Sequence, residues 1–258
     1  MCRLLGLIAN KPVDFEFSLE KFKELSTYNP DGWGIGWYEN IYPHVFKQGL
    51  SAKDRKSELS TLSQAVRSKL IIAHVRKGTG APPSVVNSHP FHYKKWLFAH
   101  NGAIDRECFC SLLKDDYKNA LKGRTDSEVY FYWILQNIED HGDLIAGVRY
   151  AVNQIKAKSH SGLNFLLSDG VSLYAFRYSS RLKDYYSLFS LERKSAESGS
   201  LEFISAETKI LLRSKTLKNE KAILVCSERL TKERWREVGF GFLLIADPGL
   251  SIREVSLI

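Results

Sequence analysis

Hydrophobic and polar positions along the chain follow two periods. Residues 2–8 (CRLLGLI) form a short apolar run, as do 69–75 (KLIIAHV) and 96–100 (WLFAH). Runs of that length predict buried strands. Residues 33–38 alternate glycine with Trp, Ile and Trp, and 42–46 can pair with them as a hairpin. Helical spacing appears over 17–25, where Leu19, Phe22 and Leu25 share a face and Ser18 stands at the N-cap position. It recurs over 57–68 (Leu59, Leu62, Val66), 107–118, 127–137 and 141–155 (Leu144, Val148, Val152). From Gly162 onward the pattern changes to short apolar or alternating runs at 163–167, 171–177, 185–191, 201–204, 222–226 and 238–245. Turn residues separate them, so they predict strands.

Between these elements lie the breakers. Asn29-Pro30-Asp31-Gly32 and 87–91 (NSHPF) are turns, and 77–83 is a Gly-, Thr- and Pro-rich loop. Asn101-Gly102 reads as a tight turn leaving the 96–100 strand. Residues 195–200 (SAESGS) read as a loop. The glycines at 34 and 36 imply a close approach by another backbone or a ligand, or else a bulge or crowded sheet crossing. The order is strands, then helices, then strands, with no internal repeat. The expected class is α+β, with two sheets covered by helices on the outside.

Composition changes this picture little. At 44% hydrophobic and 26% charged, the 258 residues are ordinary for a globular protein. No apolar run approaches the roughly 18–20 residues of a membrane span, and the N-terminal stretch lacks the layout of a secretory signal. The four cysteines are scattered, and Cys108-x-Cys110 has no second pair at zinc spacing. A reduced, cytoplasmic protein without membrane association is expected. The net charge is +8, with basic clusters at 53–56 and 209–221. No nucleic-acid motif accompanies them, so they read as solvated faces rather than a nucleic-acid interface.

The candidate chemistry starts at Met1-Cys2. Removal of Met1 would give Cys2 both a thiol and an α-amine, with reference pKa values of about 8.5 and about 7.7–8. That is a nucleophile and a base on one residue. A retained Met1 would lock the nitrogen in a peptide bond. Singly, the other candidates have plainer readings: Arg76 as a strand-end charge, Asn101-Gly102 as a hairpin turn, Asp126 as a helix N-cap. His74, His89, His92 and His100 read as structural, since no carboxylate or thiol at ligand spacing completes a metal site.

Five pieces occur in order: Cys2, DGWGIGWY, AHVRKGTG (73–80), FAHNGAI (98–104) and TDSE (125–128). Together they resemble the glutaminase domain of the class II glutamine amidotransferases, of the N-terminal-nucleophile hydrolase superfamily. The resemblance is strongest over 1–230, with 1–258 read as a single domain of the stand-alone kind. It implies a four-layer αββα sandwich and hydrolysis of the glutamine side-chain amide through a thioester. It further implies Cys2 as nucleophile, and Asn101 (side chain) and Gly102 (N–H) as the oxyanion hole. Arg76 would grip the substrate carboxylate and Asp126 the ammonium, with Thr79 a further substrate contact. No cofactor and no metal are expected. The substrate would be glutamine, with ammonia passed to a partner protein or released. Alternatives are a γ-glutamyl amidohydrolase acting on a peptide or conjugate, and a non-catalytic binder on the same fold.

Overall fold

A computed structural model describes residues 2–13, 23, 26–193, 202–204, 211–213 and 221–258. The helix expected over 17–25 lies, save for Lys23, outside the described residues, as does the loop expected over 195–200.

The first half of the chain supplies four strands of one sheet and then begins the second. Strands β1 (Arg3–Val13), β2 (Trp33–Glu39) and β3 (Tyr42–Gln48) precede helix α1 (Leu59–Ala65) and strand β4 (Ser68–Val75). Strands β5 (Phe91–Tyr93) and β6 (Trp96–Ile104) then lead into the helices. These are α2 (Arg106–Leu112), α3 (Asp115–Asn119), α4 (Asp126–His141) and α5 (Leu144–Lys156). The rest is strand: β7 (His160–Ser168), β8 (Leu173–Phe176), β9 (Phe189–Arg193), β10 (Glu202–Ile204), β11 (Leu211–Arg213), β12 (Ala222–Cys226), β13 (Arg236–Glu237), β14 (Phe242–Ala246) and β15 (Ile252–Ser256).

Two antiparallel sheets result, ordered β13-β9-β12-β1-β4-β2-β3 and β15-β14-β8-β7-β6-β5, with β10 and β11 as a separate pair. Period-two alternation sends each strand's residues into two different cores. On β1, Leu4 and Ile8 join Ile72, Ala99, Leu166 and Val225 between the sheets. Leu5, Leu7 and Ala9 point the other way and pack with Leu59 of α1 and Trp235. On the far side, Val129, Tyr130, Ile134, Val148 and Val152 of α4 and α5 cover Phe98, Phe165 and Phe176 of the second sheet. The layers are therefore helix, sheet, sheet, helix, the expected αββα sandwich.

The glycines of β2 are answered by the second layer. A Cβ on Gly34 would stand 2.3 Å from the His89 carbonyl oxygen, and one on Gly36 2.9 Å from Leu97. Crowding by the His89 backbone at Gly34 and by the Leu97 and Pro90 side chains at Gly36 explains their spacing.

Several boundaries differ from the sequence pattern. The helix expected over 57–68 ends at Ala65, because Val66 is extended and Ser68 bonds the Tyr38 carbonyl and begins β4. The helix expected over 107–118 is two, α2 and α3. Gln136 of α4 accepts from the Lys114 N–H and donates to the Leu112 carbonyl, satisfying the break between them. The helix expected to start at 141 starts at Leu144: Gly142, at φ +65°, ends α4, and Asp143 caps α5. The strand expected over 185–191 begins only at Phe189, and that over 238–245 only at Phe242, after Gly241 turns at φ +82°. Asn101 and Gly102 form no turn; both lie within β6, opposite Asn164 and Leu163 of β7.

Gly34→Ala is expected to cost about 1–3 kcal/mol through overpacking, while Gly80→Ala, with nothing within 4 Å of its added methyl, stays within about 0.5 kcal/mol of wild type. Denaturant unfolding of the two variants checks this.

Candidate active site

Strand register brings the site together. β1 and β4 run antiparallel with Arg3 opposite Val75, so the start of one strand meets the end of the other. Cys2 therefore lies beside Arg76 and Lys77: the Lys77 N–H donates to Cys2 Sγ at 3.2 Å, and Sγ is 3.4 Å from the Lys77 carbonyl. On the other flank of β4, Trp33 also stands opposite Val75, bringing the Asn29–Gly32 turn to the same end. The Arg76 N–H donates to the Gly32 carbonyl (2.7 Å) and the Asp31 N–H to the Arg76 carbonyl (3.1 Å).

Arg76 is not a solvated strand-end charge. It is 4% exposed, and its guanidinium donates to the carbonyls of Asp31 (3.3 Å), Ala81 (2.6 Å) and Pro82 (3.4 Å). A ring of carbonyls orients a buried guanidinium without neutralising it, which leaves its charge for an anion. Asp31 also accepts from the Gly78 N–H (2.8 Å), pinning the loop that follows. The sequence pattern marks Asp31 as a turn residue only; its hold on this loop needs the register to be seen.

Asp126 enters from the second layer as the first residue of α4. Thr125 caps that helix, accepting from the Glu128 N–H at 3.2 Å. Asp126 is thus released from capping, and its carboxylate accepts from the Ile104 N–H at 2.9 Å. The Asn101 side chain crosses between the sheets and donates to the Cys2 carbonyl at 3.0 Å. An amide nitrogen carries two hydrogens, so one remains. Gly102, at φ +149°, adopts a conformation that glycine alone tolerates here, since a Cβ would stand 1.7 Å from the Gly162 carbonyl oxygen.

Cys2, Arg76, Thr79, Gly102 and Asp126 line one cavity of about 270 Å³, and Asn101 is buried behind it. Cys108, Cys110 and Cys226 do not line it. Burial pushes the Cys2 thiol up; the Lys77 N–H and the Arg76 charge work against that shift, and Asp126 with it. The thiol is thus protonated at neutral pH and needs a base to become a nucleophile. All four cysteines are free, and among the described residues no group of three or more His, Cys, Asp or Glu is placed to hold a metal.

The cavity has further walls that sequence reasoning did not assign: His89, His100, Arg106 and Arg124. His100 bridges Ser127 Oγ (2.9 Å) and the Gly162 carbonyl (3.1 Å), joining α4 to β7. Next to it, the His74 and His89 rings meet at a tilt, 4.1 Å between centroids, with no hydrogen-bond partner for any of their ring nitrogens among the described residues. Burial holds His74 down at about 3 and His89 well below the usual imidazole value. Both are neutral in the folded protein at pH 7.

That neutrality costs stability in acid. Below the unfolded value of about 6.5, the unfolded chain binds protons at His74 and His89 that the folded chain refuses, so stability is complete above pH 6.5 and falls as pH is lowered toward about 3. Each group adds a slope approaching about 1.4 kcal/mol per pH unit. Unfolding free energies between pH 7.5 and 5 are expected to fall along that slope, and to fall less steeply in His74→Asn.

The comparisons with known proteins bear on the family and the fold. Residues 1–256 match the class-II glutamine amidotransferase family. The chain is 29% identical over 266 residues to the uncharacterised protein MJ1515 of Methanocaldococcus jannaschii, covering 96% of this chain and 70% of that one. It is 27% identical over 252 residues to YafJ of Escherichia coli, a protein provisionally named as a glutamine amidotransferase, covering 92% and 94%. A 79-residue stretch, 30% of this chain and 34% of the relative, is 37% identical to a γ-glutamyl-hercynylcysteine sulfoxide hydrolase of Mycobacterium tuberculosis. Among solved structures, a glutamine aminotransferase class-II domain protein from Silicibacter pomeroyi superposes with a TM-score of 0.66 at 22% identity over 99% of both chains. Glutamine phosphoribosylpyrophosphate amidotransferase from B. subtilis gives 0.65 at 17%, over all of this chain and 49% of that one, and shares the fold. No helix among the described residues is long and apolar enough to cross a membrane. The chain belongs to the class-II glutamine amidotransferases.

Proposed function

We propose that this protein hydrolyses the γ-amide of glutamine through a thioester on Cys2, releasing glutamate and ammonia. The observation that carries the reading is that the Cys2 thiol, the buried Arg76 guanidinium and the Asp126 carboxylate share one cavity. Glutamine's far end carries one fixed charge of each sign, which an Arg and an Asp complement.

In this reading the free α-amine of Cys2, exposed by removal of Met1, takes the thiol proton as Sγ bonds to the γ-carbonyl carbon. The carbonyl oxygen takes up the negative charge. The second hydrogen of the Asn101 amide and the Gly102 N–H are its donors. The ammonium returns its proton to the leaving nitrogen, the C–N bond breaks, and ammonia departs. Water then adds to the thioester with the same amine as base, restoring the thiol. Thr79, exposed on the cavity rim, contacts the substrate. No cofactor enters these steps. We further propose that residues 1–258 act as one glutaminase unit in the cytoplasm and that ammonia passes to a separate acceptor protein or is discharged.

A second reading is favoured by the γ-glutamyl conjugate in the name of the M. tuberculosis relative. The same bond chemistry would cleave a γ-glutamyl peptide or conjugate, with only the leaving amine changed.

Intact mass is expected to show loss of Met1, and a glutamine-like electrophile to add one equivalent at Cys2. Cys2→Ala is expected to abolish ammonia release. Equal ammonia release by wild type and Cys2→Ala would overturn Cys2 as the nucleophile, and no turnover by wild type on glutamine or on γ-glutamyl peptides would leave a non-catalytic binder as the better account. Asn101→Ala is expected to lower kcat by about 10²–10³-fold, the usual cost of one oxyanion donor.

A further inference from the structure

The charges around the Cys2 cavity do not balance for glutamine. Its walls hold the cations Arg76, Lys77, Arg106 and Arg124, against one carboxylate, Asp126. The proposed hydrolysis at the γ-carbonyl, on which this inference rests, uses Arg76 and Asp126 for the zwitterionic end of the substrate. The exposed Lys77 and two guanidiniums, those of the half-buried Arg106 and the exposed Arg124, are left over.

Among the described residues neither guanidinium has a partner of its own. No ion pair or side-chain hydrogen bond joins the Arg106 or Arg124 guanidinium to another described residue, and Arg106 Nε is buried with no acceptor. Two of the neighbouring acids are engaged elsewhere. Asp105 accepts from the Cys108 N–H at 3.0 Å, and Glu128 from the Lys122 and Gly123 N–H groups at 2.9 and 2.7 Å. Arg124 also stands immediately before Thr125, the cap of the 16-residue α4. A helix start is where an anion is favoured and a cation is not. A buried unsatisfied donor is a standing cost that a bound acceptor removes.

We propose that Arg106 and Arg124 receive an anionic group on the leaving amine, so that the preferred substrate is a γ-glutamyl peptide or conjugate whose departing amine carries a carboxylate. A guanidinium pairs with a carboxylate through two parallel N–H···O bonds, and two guanidiniums bracket one carboxylate. An amide whose leaving amine is neutral, glutamine included, leaves both unpaired.

The test compares γ-glutamylglycine with γ-glutamyl methylamide, which share the γ-glutamyl group and differ in the carboxylate. Wild type is expected to favour γ-glutamylglycine by about tenfold or more in kcat/KM, carried mainly by KM, the scale of one charge-assisted hydrogen bond. Arg106→Gln and Arg124→Gln are expected each to shrink that ratio severalfold, and Arg106→Lys to recover part of it. A ratio near one in wild type overturns the inference. So does an equal proportional loss on both substrates, which would assign the arginines to the γ-glutamyl end, the oxyanion or the fold. Calorimetric binding of the same two compounds to Cys2→Ala reads the preference without turnover, and equal affinities there overturn it as well. Failure of the underlying hydrolase reading looks different: wild type turns over neither compound nor glutamine, and the electrophile leaves Cys2 unlabelled.

Discussion

The antiparallel pairing of β1 with β4 is the constraint from which the rest of the site follows. With Arg3 opposite Val75, the first residues of one strand must meet the last residues of the other. Cys2, Arg76 and Lys77 are brought together by that register alone, although 74 positions separate the first two. A slip of one residue would turn Leu4 and Ile8 out of the inter-sheet core and Leu5 and Leu7 into it. The two apolar faces of β1, both buried, forbid that slip. Core packing and site assembly are therefore the same fact seen from two ends of one strand.

Electrostatics complete what register begins. The cavity gathers cations around a thiol that burial keeps protonated. It does so beside two imidazoles that burial keeps neutral. Had His74 and His89 been charged, Arg76 would have faced further positive charge in a dry interior. Their neutrality makes a cationic cavity tolerable.

Much of this was legible in the sequence, for a physical reason. Short apolar runs and glycine-spaced strands specify local structure strongly, so β1, β2, β4 and the α4 region appear in the pattern itself. Five ordered motifs carried the family resemblance, and with it six candidate site positions, five of which line one cavity with the sixth, Asn101, buried beside it. What the pattern could not carry was anything decided by the partner strand. Asn101-Gly102 looks like a turn because that pair favours turns in isolation; only the pairing with β7 makes it strand. The break between α2 and α3 depends on Gln136, more than twenty residues away. Asp31 holds the 77–83 loop, and Arg106 and Arg124 reach the cavity, through contacts that leave no periodic trace. His89 shows the same limit: its residue type suggested structure, and its place in the cavity wall depends on how the 87–91 turn meets the second sheet.

The bond from the Asn101 amide to the Cys2 carbonyl has a wider meaning. It runs from one sheet to the other, so the residue bearing the thiol is fastened to both layers at once. The separation of the sheets, set by side chains such as Leu4, Leu166 and Ala99, therefore acts as a ruler for the thiol's position. A repacked methyl group deep in the sandwich, far from any substrate, would be felt at the sulfur as a displacement. The interior of this protein is in that sense a mechanical part of its candidate site, and variation there shifts the place of the thiol as well as the stability of the fold.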